Sequence, residues 1–211
     1  MKKTLIALAL AAAPFASFAS ESNGIGYTNV QLDGVYEDSA GFYGKGAGIS
    51  GSYAFTDNFF VTGSYSRTRD SDSWQSGKWY DRERLTNKNW TLGVGFNTSI
   101  GTRADWVSQL AYARHGVSSN YKSCYANTCY ADNDSDHVSG YNLSTGVRGR
   151  VTDQLTANAY LGYEDYSHHY DGNFYADFDM GYSFNKTWSI ETGVRLAEGM
   201  ETWNLGARAS F

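Results

Sequence analysis

Residues 203–211 read Trp203-Asn204-Leu205-Gly206-Ala207-Arg208-Ala209-Ser210-Phe211. Trp203, Leu205, Ala207, Ala209 and Phe211 fall on one face of an extended chain, and Asn204, Gly206, Arg208 and Ser210 fall on the other. A period of two belongs to a strand, because a helix would scatter these residues around its axis. Upstream, Trp90, Leu92, Val94 and Phe96 alternate with small or polar neighbours, as do Phe174, Ala176, Phe178, Met180, Tyr182 and Phe184, and then Trp188, Ile190, Thr192, Val194 and Leu196. Weaker alternation spans 58–68, 104–114, 138–151 and 154–165, and glycine-rich versions cover 24–36 and 41–55. Ten strands are expected, with eight as the smaller possibility.

Composition agrees with an all-β chain. The 211 residues include 17 Tyr, 11 Phe, 6 Trp and 23 Gly against a single proline, Pro14. Mean hydropathy is −0.49. Such a mixture suits strands more than helices, and the aromatic content argues against disorder. With 22 acids against 17 bases, a broad basic face for nucleic acid is not expected.

Met1 to Ala19 combines Lys2 and Lys3 with the apolar run Leu5–Ala13 and small residues at Ser17 and Ala19. This is the pattern of a secretory signal cleaved before Ser20, which leaves 20–211 as one exported domain. Beyond it no apolar run approaches the roughly 18 to 20 residues of a membrane helix, whereas a barrel strand needs only about 9 to 11.

The connections point to a transmembrane barrel. Short turns at 56–58, 99–103, 152–154 and 185–187 alternate with longer polar segments at 68–87, 115–137 and 164–172, and with shorter ones near 37–40 and 198–201. Short turns on one rim and long loops on the other are the outer-membrane pattern, and an even strand count places both termini at the periplasmic rim. A soluble β-sandwich would alternate too, but its apolar face would be a core. Here aromatics gather at both ends of the apolar face. Tyr65, Trp90, Tyr112, Tyr141, Tyr163, Phe174 and Trp203 lie towards the loops; Phe55, Phe59, Phe96, Trp106, Phe184, Trp188 and Phe211 lie towards the turns. Two such rings match two head-group interfaces. Phe211, a C-terminal aromatic on the lipid face, resembles the signal read by the barrel-assembly machinery.

On the opposite, luminal face the phases place Arg148, Arg150, Glu164, Asp177, Asp179, Glu191, Arg195 and Arg208. Glu191 and Arg208 stand at similar heights on neighbouring strands, and Arg195 stands near Asp177 or Asp179. Charges behind a low-dielectric wall need partners. They either fill the lumen as mutually satisfied pairs or form a charged eyelet for ions or small solutes.

Four further motifs carry candidate chemistry. Cys124 and Cys129 are expected to form a disulfide, with a two-thiol metal site as the alternative. Asp132-Asn133-Asp134-Ser135-Asp136 opens like a calcium loop, but His137 and Leu143 replace the required glycine and glutamate. A loose Mg²⁺ or Ca²⁺ site or a solvated acidic loop remains. Gly46-Ala47-Gly48-Ile49-Ser50-Gly51 fits G-x-G-x-x-G, yet strand residues follow where a nucleotide site needs a helix. His115, His137, His168 and His169, with Asp134, Asp136 and Asp165, could supply a rim base, but no spacing fixes a nucleophile. The expectation is therefore no catalytic site and no cofactor.

The segment 67–88 interleaves Arg67, Arg69, Lys78, Arg82, Arg84 and Lys88 with Asp70, Asp72, Asp81 and Glu83, and carries Trp74, Trp79 and Tyr80. It reads either as a self-paired solvated loop or as a patch that contacts lipopolysaccharide phosphate or another surface. Arg69, Trp74, Lys78, Trp79, Arg82 and Arg84 are the binding candidates.

The leader Met1–Ala19, then Gly51-Ser52-Tyr53-Ala54-Phe55 with Asn58-Phe59, Gly63-Ser64-Tyr65-Ser66, Gly93-Val94-Gly95-Phe96-Asn97, Ala111-Tyr112 and Gly162-Tyr163-Glu164-Asp165-Tyr166, resemble a xanthomonad family of outer-membrane proteins. That family is labelled a sulfation-dependent quorum factor, within the wider class of small OmpX-like barrels. The resemblance implies a surface-exposed barrel, shed in vesicles, tied to motility, biofilm or host interaction; a monomer whose loops meet lipopolysaccharide, a neighbouring cell or a host is the expectation from the chain as a whole. The resemblance supplies no catalytic motif, and the segment with Cys124 and Cys129 is longer than the family's version.

Overall fold

A computed structural model describes residues 23–211, apart from 127 and 168–171. The chain forms β1 (Asn29–Ser39), β2 (Phe42–Ala54), β3 (Phe59–Ser76), β4 (Trp79–Ser99), β5 (Ala104–Tyr125), β6 (Thr128–Arg150), β7 (Leu155–Tyr166), β8 (Asn173–Ser183), β9 (Trp188–Ala197) and β10 (Met200–Ser210). Each strand pairs antiparallel with its neighbours in sequence, and β1 closes on β10 to make a ten-stranded barrel. The signal-peptide expectation for 1–19 lies outside the described residues.

Every ladder holds a constant register from end to end, so no bulge reverses the alternation. Faces assigned at one height therefore hold along the whole strand. Leu32, Leu92, Leu161, Phe174 and Leu205 point outward and are exposed, which marks that face as the one that meets lipid. Trp203 to Phe211 spans nine residues, the length a tilted strand needs to cross the hydrocarbon. Belt aromatics touch their neighbours: Trp90 and Tyr112 at 5.3 Å, Tyr163 and Phe174 at 5.1 Å, and Phe59 and Phe96 at 5.2 Å between ring centroids.

One rim carries four near-identical turns, closed by Phe55 N–H to Phe59 O, Ile100 to Ala104, Val151 to Leu155 and Phe184 to Trp188 at 2.8 to 3.1 Å. The other rim departs from the expected loops. Residues 68–76 and 79–87 continue β3 and β4, and 115–125 and 128–137 continue β5 and β6. β5 runs 13 residues past Tyr112 to Tyr125, about 43 Å along the strand. The four long strands thus rise from the barrel wall as a sheet. Residues 37–39 and 200–201 are strand as well. Ala40-Gly41, both at positive φ, turns β1 into β2, and Glu198-Gly199 turns β9 into β10.

Residues 24–28 are not strand, contrary to the alternation seen in 24–36. Ile25 and Tyr27 turn into the lumen at the turn rim, where they pack with Ala54, Phe60 and Val107 and against Tyr160. The core is small, and it sits inside the barrel.

Candidate functional site: the lumen and the outer sheet

From the turn rim upward, the lumen is filled first by the N-terminal segment. The Tyr27 ring stacks on Phe60 at 5.0 Å and lies beneath the Arg148 guanidinium, also at 5.0 Å. Its hydroxyl donates to Asp105, which also accepts from the Asn23 amide at 2.7 Å. Arg208 reaches the Gly26 carbonyl at 3.5 Å and Glu191 at 3.7 Å. Arg150, which shares the inward face of β6 with Arg148, lies against Gly24 at the turn rim and also meets Asp153 of the adjoining turn at 3.5 Å.

Above this plug lies a cavity of about 290 Å³ lined by Asp33, Asp179, Glu191, Arg148 and Arg208 among mainly polar neighbours. Towards the other rim Arg195 lies 3.1 Å from Glu164 and 3.7 Å from Asp177, with its guanidinium 3.7 Å above the Tyr175 ring. Of the two partners expected for Arg195, the nearer is thus Asp177; Glu164 is a further one. Glu37, unmarked by the sequence reading, is buried and accepts from Thr68 at 2.8 Å and Asn87 at 2.7 Å. Glu37 gives no signal in the sequence, because its partners are 31 and 50 residues away.

Large inward side chains lie over the adjacent strand where their directly paired residue is glycine. A Cβ on Gly162 would overlap the Tyr175 ring, and one on Gly95 would overlap Phe60. Steric room, rather than turn geometry, explains these glycines.

The outer sheet separates charge by sign. Thr68 points inward, bonded to Glu37, so Asp70, Asp72 and Trp74 of β3 share that face. Register then adds Trp79, Asp81 and Glu83 of β4, Tyr121 and Tyr125 of β5, and Tyr130, Asp132, Asp134 and Asp136 of β6. The Tyr121 hydroxyl meets Asp81 at 3.5 Å, as residues on one face must. The reverse face carries Arg67 and Arg69 of β3, Arg82, Arg84 and Lys88 of β4, and Arg114 and Lys122 of β5. Acids and bases that alternate along 67–88 therefore cannot pair with each other, and the self-paired loop is not what forms. Asp72 stands directly opposite Glu83, and Arg67 opposite Lys88.

Of the six binding candidates, Arg69, Arg82 and Arg84 lie on the basic face, Trp74 and Trp79 lie on the acidic face, and Lys78 sits in the turn between β3 and β4. Trp79 packs on Tyr125 at 4.6 Å. Cys124 and Cys129 are opposite each other and joined by a disulfide near the tip of β5 and β6.

Residues 132–136 are strand, which spaces Asp132, Asp134 and Asp136 along one edge of the sheet. Among the described residues no cluster of three or more Asp, Glu, His or Cys is placed to hold a metal. His137 lies on the face opposite Asp134 and Asp136, so they form no dyad. His115 points inward against the Asn89 side chain. His168 and His169 lie outside the described residues. Phe211 donates its N–H to the Thr28 carbonyl at 3.0 Å, one step beyond the Asn29–Ser210 end of the closing seam.

A closed antiparallel wall with an apolar exterior, two aromatic belts and a polar filled interior defines a transmembrane β-barrel of the bacterial outer membrane. The chain belongs to the outer membrane protein beta-barrel domain family, whose model matches residues 5–177. Among curated proteins no relative matches. Among solved structures it is similar to the KdgM porin in complex with disordered oligogalacturonate, at 12% identity and a TM-score of 0.50, covering 87% of this chain and 99% of that one. It is also similar to Ail, the attachment invasion locus protein of Yersinia pestis, in complex with sucrose octasulfate, at 13% identity and 0.43, covering 87% and 95%. The NanC porin gives 9% identity and 0.48, covering 86% and 100%. At these identities the likeness is one of fold. In such barrels the short turns face the periplasm, so the sheet stands outside the cell.

Proposed function

We propose that this barrel is a non-enzymatic surface protein whose extracellular sheet makes its contacts, the first of them with lipopolysaccharide phosphate. The observation that carries this reading is a belt of cations directly above the outer aromatic ring. Arg67 follows Tyr65 by one outward step, Lys88 follows Trp90, and Arg114 follows Tyr112; Arg69 and Lys45 are paired beside them. Like charges set opposite one another across a ladder destabilise it. No acid of β3, β4 or β5 shares their face at this height. An external anion relieves that repulsion, and head-group phosphate is the anion at this level of the membrane. Charge-assisted bonds from arginine to phosphate are the stronger kind.

The narrow-channel reading has less support, since Ile25, Tyr27 and Phe60 occupy the periplasmic end of the lumen. A surface role agrees with what the resemblance to the xanthomonad family implies. The test is the heat-unfolding midpoint of the refolded chain in vesicles with and without lipopolysaccharide. Lipopolysaccharide should raise the midpoint of the native chain and should not raise that of Arg67→Gln/Lys88→Gln/Arg114→Gln. An equal rise in both would remove the belt as a phosphate site.

A further inference from the structure

Among the described residues, no element covers the acidic face of the outer sheet and no lysine or arginine in the outer-sheet part of β3 to β6 shares it. Asp70, Asp72, Asp81, Glu83, Asp132, Asp134 and Asp136 share it with Trp74, Trp79, Tyr121, Tyr125 and Tyr130, all five exposed. A surface of carboxylates and flat rings fits a cationic partner that also offers stems and apolar edges to pack on. The same chain presents such a partner on the reverse of the same sheet. Above the head-group belt, Arg82 stands directly opposite Lys122, and Arg84 lies one step from Arg82 towards the membrane. The two faces thus carry opposite charge at the same heights along the same strands.

We infer that the acidic, aromatic face of one copy docks on the basic back of the sheet of a second copy, in an apposed membrane. This rests on the surface-contact reading above and names its partner. Apposition follows from the placement of the sheet. The acidic face looks across its own barrel mouth and the basic face looks away, so neighbours in one membrane hold these faces a barrel width apart. An inverted copy lowers its sheet into that space. The contact is heterologous: it leaves one acidic and one basic face free at its ends, and so it propagates across a junction between cells.

Size sets the strength. Four strands about 4.8 Å apart and roughly ten residues long present about 600 Å² per face. That falls at the small end of specific interfaces, so a single contact is weak and salt-sensitive, and many copies on facing membranes are needed for adhesion. The sheet is ready to dock without reordering, because the Trp79–Tyr125 packing and the Cys124–Cys129 bridge hold its tip.

The test is complementation between two variants of the full chain refolded into phosphatidylcholine vesicles. These contain no lipopolysaccharide, so the outcome is independent of the phosphate belt. One variant neutralises the acidic face (Asp72→Asn/Glu83→Gln/Asp132→Asn), and the other neutralises the upper basic face (Arg82→Gln/Arg84→Gln/Lys122→Gln). Folding is checked by heat-dependent gel migration, and outward-facing sheet is matched by protease access. Light scattering should show native vesicles clustering at low salt and dispersing as salt is raised through about 0.3 M. Each variant alone should lose clustering at least tenfold, and a mixture of the two should recover at least half of the native level. Native vesicles that stay dispersed, either variant clustering alone, or a mixture as silent as its components would each overturn the proposal. The last outcome would point to a cationic partner other than this chain.

Discussion

The Tyr27 hydroxyl donates to Oδ2 of Asp105 at 2.9 Å, which ties the segment ahead of β1 to the start of β5 across the lumen. Tyr27→Ala should remove both this bond and the stacking on Phe60, at a cost of about 3 kcal/mol in urea unfolding. The native barrel should be silent in a planar bilayer, and the variant should pass current. Discrete openings in the native chain would instead show that the N-terminal segment does not seal the lumen.

Glu191 and Arg208 are both buried, and their pairing makes a distinct forecast. Glu191→Gln leaves an uncompensated guanidinium and should destabilise the barrel by about 3 kcal/mol. Glu191→Gln/Arg208→Gln should recover part of that loss. Conductance should stay unchanged in both, because the plug below remains in place; a change would restore the eyelet reading of these charges.

The barrel was legible wherever one side of a strand was apolar. Trp203–Phe211 and Trp188–Leu196 announce their faces through hydrophobic alternation, which lipid on one side demands. Beyond the outer aromatic belt both faces meet water, so that alternation fades, and 68–87 and 115–137 read as loops. A signal was still present. Asp81-Arg82-Glu83-Arg84 alternates in the sign of its charge, and a period of two in sign is as much a strand as a period of two in hydropathy. The plug was hidden for another reason. Ile25 and Tyr27 keep the parity of β1, so only the packing of Phe60 and Val107 within the bore distinguishes them from strand.

Reduction of Cys124–Cys129 should loosen the sheet tip and leave the barrel intact. A bridge across so short a loop contributes at most about 2 kcal/mol. Hydrogen exchange should therefore accelerate in the outer part of β5 and β6, with little change around Leu110 or Leu143 in the membrane wall. Heat-dependent gel migration should persist under reducing conditions. Its loss would mean that the bridge supports the whole fold.

Charge segregation also fixes the sign of a stability change. In a self-paired loop, Asp72 would have a basic partner, and Asp72→Asn would weaken the structure. In the sheet Asp72 faces Glu83 directly, and no cation shares their side of β3 or β4. Directly opposed like charges cost a few tenths of a kcal/mol, so Asp72→Asn should stabilise the tip of this hairpin by about that amount. The same argument applies on the reverse face, where Arg82 opposes Lys122, and Arg82→Gln should act in the same direction. Hydrogen-exchange protection over 70–85 reads both effects at low salt, and both should shrink as added salt screens the repulsion. Faster exchange in either variant would mean that these side chains find opposite charges, which the strict alternation of β3, β4 and β5 forbids.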